Sequence, residues 1–179
     1  MDHVRKVANK LGLSIERADE GLDSGEIMRG IWSYIFHAKV VLAPELNSLS
    51  SALAVASHTA QAAAATQAAI DVLTADTPDA AGAGQYYWVL GTTYVVRTEQ
   101  QLAAGQNSDA DTSAQDAIST LSAAAAHGID PVAYVAPELN SLSSALAVAS
   151  HTAQAAAATQ AAQRLTETGD VRSSDPPPA

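Results

Sequence analysis

The chain has 179 residues, a formal charge of −10 and no cysteine. That length suits one domain with one core; the missing thiols exclude disulfides and thiolate metal sites, and no basic stripe exists that a nucleic-acid groove would need. Alanine supplies 40 residues and the aromatics together only 8, so the expected core is built from close helix approaches and a few large anchors.

In chain order, Val4, Val7, Ala8 and Leu11 are spaced for a helix over 3–11 that stops at Gly12. A short turn capped by Ser14 follows. The start lacks a long apolar run, so no secretory signal is expected. Met28, Ile31, Ile35, Ala38 and Leu42 alternate steps of three and four and predict a helix over 25–42, which also carries Trp32, Tyr34 and Phe36. The apolar run 31–42 is interrupted by Ser33, His37 and Lys39 and is too short to span a bilayer. A cytoplasmic location follows by default, with export without a signal left open.

Pro44 and Glu45 suit the first turn of a new helix. There begins the most distinctive feature of the chain: residues 43–69 and 136–162 are the same 27-residue string, APELNSLSSALAVASHTAQAAAATQAA, offset by 93. Each copy reads as one continuous helix, the first running to about Thr74. Its expected contact seam is Leu46, Leu49, Leu53, Ala56, Ala60 and Ala63, repeated as Leu139, Leu142, Leu146, Ala149, Ala153 and Ala156. A Leu half followed by an Ala half makes such a helix complementary to its own copy when antiparallel.

Asp76 to Gly84 reads as a loop and Gln85 to Ala104 as a helix ended by Gly105. Asn107 to Thr112 reads as a capping loop, with Ser113 and Asp116 opening a helix that ends at Gly128. Pro131 and Pro137 bracket the turn into the second copy. The Pro-rich tail, 169–179, is expected to be disordered. The whole is an all-α bundle of about six helices over 1–168.

Two family resemblances attach to these segments. Tyr87-x-x-Leu90-Gly91-x-x-Tyr94, followed by Ala117, Leu121, Ala124 and Asp130-Pro131, resembles one tetratricopeptide repeat over 86–131. This implies a peptide-binding groove lined by Tyr87, Tyr94 and Arg97. At least three such units are normally stacked, and the bland reading is a helix pair packed closely at Gly91. The run Leu53 to Gln67, preceded by Val40-Val41-Leu42-Ala43-Pro44, resembles the central helix of R-body (Reb-type) structural proteins, which implies a small helical subunit that assembles into ribbons.

For chemistry, only His58 and His151 are repeated, each three residues before a Gln. Apposed, they could bind a divalent metal or serve a small helical enzyme or ligand carrier, but the acids in their own segments, Glu45 and Glu138, lie more than three turns away. Asn107, Asp109, Asp111 and Asp116 do not meet calcium-loop spacing. No phosphate-binding loop or nucleophile motif is present. The expectation is therefore a non-catalytic helical scaffold without a cofactor, whose partner is itself or another helical protein, with no nucleic acid and no membrane span.

Overall fold

The computed structural model describes residues 24–75 and 82–173, with side chains over 39–75 and 82–168. The expected helix 3–11, the turn after Ser14, residues 76–81 and the end of the tail lie outside the described residues. Two compact units are distinguished, 1–36 and 37–179. Of the first, the described part is the helical backbone from Ser24.

The described residues form six α-helices: α1 Ser24–Val55, α2 Thr59–Thr74, α3 Ala83–Ala103, α4 Asn107–Ala126, α5 Ala136–Val148 and α6 Thr152–Ser173. A π-helical turn, Pro131–Val135, leads into α5. No strand occurs among the described residues, so the all-α expectation holds.

Several boundaries differ from those expected. Pro44 does not start a helix but lies inside α1, which is 32 residues long. An internal proline removes one i→i−4 bond and costs about 3 kcal/mol. A packed face nevertheless continues across it, through Val40, Ala43 and Ser50, all buried, and this burial keeps the chain helical. In the second copy the same residue, Pro137, stands in the first turn of α5. Asp130 caps the π turn by accepting from the Val132 and Ala133 amides, both at 2.9 Å.

Neither copy is one continuous helix. The first breaks between Val55 and Thr59, the second between Val148 and Thr152. At each break a serine takes the left-handed conformation, Ser57 at φ 63° and Ser150 at φ 66°. The His58 amide then donates to Leu53 O at 2.8 Å and the Ser57 amide to Ala54 O at 3.0 Å. His151 repeats the first bond on Leu146 O at 2.8 Å and Ser150 the second on Ala147 O at 3.1 Å. This is the Schellman ending, and α3 and α4 close the same way with Gly105 and Gly128 at positive φ. Serine in the glycine position concealed the break from sequence reasoning.

The expected capping loop at 107–112 is instead the start of α4, which begins at Asn107. Ser113 is buried in mid-helix, and only residues 104–106 separate α3 from α4. At the far end α6 runs to Ser173, so the first residues assigned to the tail are helical.

The second unit has its densest core where α3, α4 and the second copy meet. Val95, Ala114, Ala117, Leu121, Val135, Leu139, Leu142, Leu146, Ala155, Ala158 and Ala162 form one buried cluster. Gly91 makes this possible: a Cβ there would lie 2.7 Å from Leu121 Cγ and 3.2 Å from the Leu121 amide nitrogen. The missing side chain lets α3 and α4 approach closely, as the bland reading of the tetratricopeptide-like segment required.

Candidate interaction surface

Each copy of the 27-residue string folds into a helical hairpin, formed by the end of α1 with α2 and by α5 with α6. The hairpins are pinned by the same side chains. Ser50 Oγ donates to Ala62 O at 2.8 Å and lies 2.7 Å from Thr66 Oγ1. Ser143 Oγ donates to Ala155 O at 2.9 Å and lies 2.8 Å from Thr159 Oγ1. The second helices also bury equivalent alanines, Ala62, Ala65 and Ala69 in α2 and Ala155, Ala158 and Ala162 in α6.

The break moves the alanine half of the expected seam off the packed face. Ala56, Ala60 and Ala63 are exposed, as are Ala149, Ala153 and Ala156. A left-handed residue interrupts the helical phase, so the buried alanines fall two positions further on. The correction is therefore from one Leu/Ala seam to two short helices that fold back on each other.

Inside each hairpin the copies agree, but their surroundings do not. In the second copy Leu139, Leu142 and Leu146, and Val135 just before it, are each 0% exposed. The matching residues of the first copy behave differently: Leu46 and Leu53 are half-buried, while Leu42 is 47% and Leu49 51% exposed. At 100° per residue these four positions share a strip within about 60° on the helix surface. One strip is thus core in one copy and open in the other.

The first copy is covered on its polar flank instead. Asn47 Nδ2 donates to Thr93 Oγ1 of α3 at 2.7 Å, whereas its counterpart Asn140 is exposed. Gln100 Nε2 donates to Ser50 Oγ, and Thr66 Oγ1 donates to Gln100 Oε1 at 3.2 Å. Asn47 Oδ1 is buried without a partner. A polar contact of this kind sets register more than it adds stability, because each bond contributes only about 1 kcal/mol net.

The two histidines also part company. His151 Nδ1 lies 2.6 Å from Asp111 Oδ1 and its Nε2 3.3 Å from Asn107 Oδ1, both on α4. His58 is exposed and makes no side-chain hydrogen bond. Sequence reasoning sought an acid within the copied helices; the acid comes from 40 residues away in the chain, where no spacing rule reaches. Among the described residues, no group of three His, Asp or Glu could hold a metal.

Of the groove residues, Tyr87 stacks on His127 with ring centroids 5.2 Å apart, and Tyr94 packs against the second-copy core. Burial and the Asp116 carboxylate push the Tyr94 hydroxyl above its ordinary pKa. Arg97 faces a separate cleft of about 990 Å³, lined also by Ala62, Gln100 and Gln106. Tyr87 and Tyr94 do not line that cleft. Glu138 of α5 is held above the usual carboxylate range by burial. Glu99 of α3 is raised by burial first and by the Glu138 charge second.

No described helix is long and apolar enough to cross a membrane. No protein-family model matches the chain, and neither a curated protein nor a solved structure does.

Proposed function

We infer that the chain is a non-catalytic helical scaffold that assembles with copies of itself through the first of its duplicated hairpins. The observation that carries this reading is the unequal cover of the same residue in the two copies: Leu49 stands half in solvent where Leu142 is fully buried, and Leu42 just before the first copy is likewise exposed. Large apolar side chains in a row on one helix face mark contact surfaces. The resemblance of Leu53 to Gln67 to R-body subunits, which assemble into ribbons, agrees with it.

Light scattering of the full chain across a concentration series tests the reading. The expected result is a mass that rises above the 18.3 kDa of one chain as concentration increases. A mass that stays at one chain throughout would sink it.

A further inference from the structure

The cleft that Arg97 faces is walled mainly by α2 and α3, with Ser51 and Ala54 of α1 and Asp109 of α4 at its border. Thr66 Oγ1 bridges the two main walls by donating to Gln100 Oε1. Around that bridge the lining includes Ala62, Ala63, Ala103 and Ala104. Methyl groups are too short to close the gap, and about 990 Å³ stays open. This lies at the upper end of the range of small-molecule sites, roughly 300–1,000 Å³.

Arg97 is the one cationic side chain among the described residues of the lining, and it is positioned from behind. Gln101, buried in α3, donates its amide N–H groups to Asp109 O at 3.0 Å and Ser113 Oγ at 2.8 Å, and its amide oxygen accepts from Arg97 Nε at 3.3 Å. The opposite amide orientation sets oxygen against acceptors and nitrogen against donors. Contacts to α4 thus fix the amide, and the amide fixes the guanidinium. Glu99 and Asp109 border the cleft, yet neither forms an ion pair with Arg97, and no other described carboxylate does. The two terminal nitrogens of a half-buried guanidinium remain as a fork, which matches a pair of carboxylate oxygens.

We propose that this cleft binds a small aliphatic carboxylate, with its charged group on the Arg97 fork and its hydrocarbon along the alanine walls. The charges select a monoanion. A phosphate monoester carries close to two charges at neutral pH, and the second would meet Glu99 and Asp109 with no cation to balance it. No aromatic ring lines the cleft among the described residues, so an aliphatic body fits where a stacked ring would find no partner. Neither His58 nor His151 lines it, and the site does not depend on self-assembly.

The probe is octanoate, titrated by calorimetry into the full-length chain as wild type, Arg97→Gln, Ala63→Trp and Arg164→Gln. Ala63 is exposed on the α2 wall, so tryptophan there fills the cleft and leaves Arg97 in place. Arg164 is exposed and outside the cleft, and serves as the control. Octan-1-ol and inorganic phosphate are titrated into the wild type, and circular dichroism with a cooperative urea transition verifies folding. Arg97→Gln and Ala63→Trp should each weaken octanoate binding on the order of 10-fold or more, as loss of a charged hydrogen-bond partner does. Arg164→Gln should leave it unchanged, and the alcohol and phosphate should bind at least about 10-fold more weakly than octanoate.

A wild type that does not bind octanoate at millimolar concentration, or Arg97→Gln and Ala63→Trp chains that bind it as tightly as the wild type, would overturn the site. Octan-1-ol or phosphate binding as tightly as octanoate would overturn the carboxylate assignment. None of these results bears on the scaffold reading, which stands or falls on the mass of the assembled chain.

Discussion

Leu49→Ala and Leu142→Ala are the same substitution in the same 27-residue sequence, and they should differ in cost. Leu142 is 0% exposed and belongs to the main core cluster, so its truncation removes the full transfer term and leaves a cavity, about 2–5 kcal/mol in all. Leu49 is 51% exposed. Full burial of a leucine is worth about 1.5–3 kcal/mol, so half-burial without an enclosed cavity puts its truncation at about 1 kcal/mol. Helix propensity and residual local structure in the unfolded chain depend on nearby sequence, which is identical, so both cancel in the difference. What remains is tertiary environment alone. Urea unfolding of the two variants, at concentrations below any association, should give a gap of about 1–4 kcal/mol with Leu142→Ala the less stable. A gap under about 0.5 kcal/mol, the usual scatter for surface changes, would refute the unequal burial on which the interface argument stands.

Four further outcomes follow from the same geometry. Gly91→Ala should destabilise by about 1–2 kcal/mol in urea, since overpacking against Leu121 outweighs the gain of about 1 kcal/mol in helix propensity. Ser57→Gly and Ser150→Gly should each raise the urea midpoint, by up to about 1 kcal/mol in stability, because glycine adopts left-handed backbone without the Cβ penalty. Ala60→Leu and Ala153→Leu, at exposed positions, should each change stability by less than about 0.5 kcal/mol, where a continuous seam would have made both costly. Glu138→Gln should stabilise the fold at pH 7 and flatten its pH dependence. The folded-state pKa of Glu138 is raised by burial, so the folded chain binds its proton more readily than the unfolded chain. That cost is present at neutral pH and is relieved as pH falls through the raised value towards 4.5. Urea titrations at several pH values check the sign, and a variant as pH-dependent as the wild type would contradict it.

Much of the fold was legible because helical periodicity is a local property. The helix ends at Gly105 and Gly128 follow from glycine beyond the last periodic residue, and the close approach at Gly91 from a small residue in an apolar row. The breaks at Ser57 and Ser150 were not legible, since serine adopts left-handed backbone less readily than glycine and gives no stop signal. Nor did Pro44 stop α1, because a face buried on both sides of it, Val40, Ala43 and Ser50, outweighed one lost hydrogen bond. The start of α4 was misplaced for a related reason: Asn107, Ser108, Asp109 and Asp111 favour caps and loops in isolation, yet Ala110 and Ala114, both fully buried, hold that stretch in a helix against the core.

The candidate surface divides the same way. What the 27 residues determine by themselves is what they do twice: a hairpin closed by a left-handed serine and a serine pinned to the carbonyl 12 residues on. Those bonds join groups close in sequence, so identical strings form them in both places. Only the tertiary structure decided that Leu142 is core and Leu49 half exposed, that Asn47 bonds to Thr93 while Asn140 faces solvent, and that His151 meets Asp111 while His58 has no such partner. These differences depend on groups 40 or more residues away, and burial is a property of whatever packs against a face, which the face does not encode.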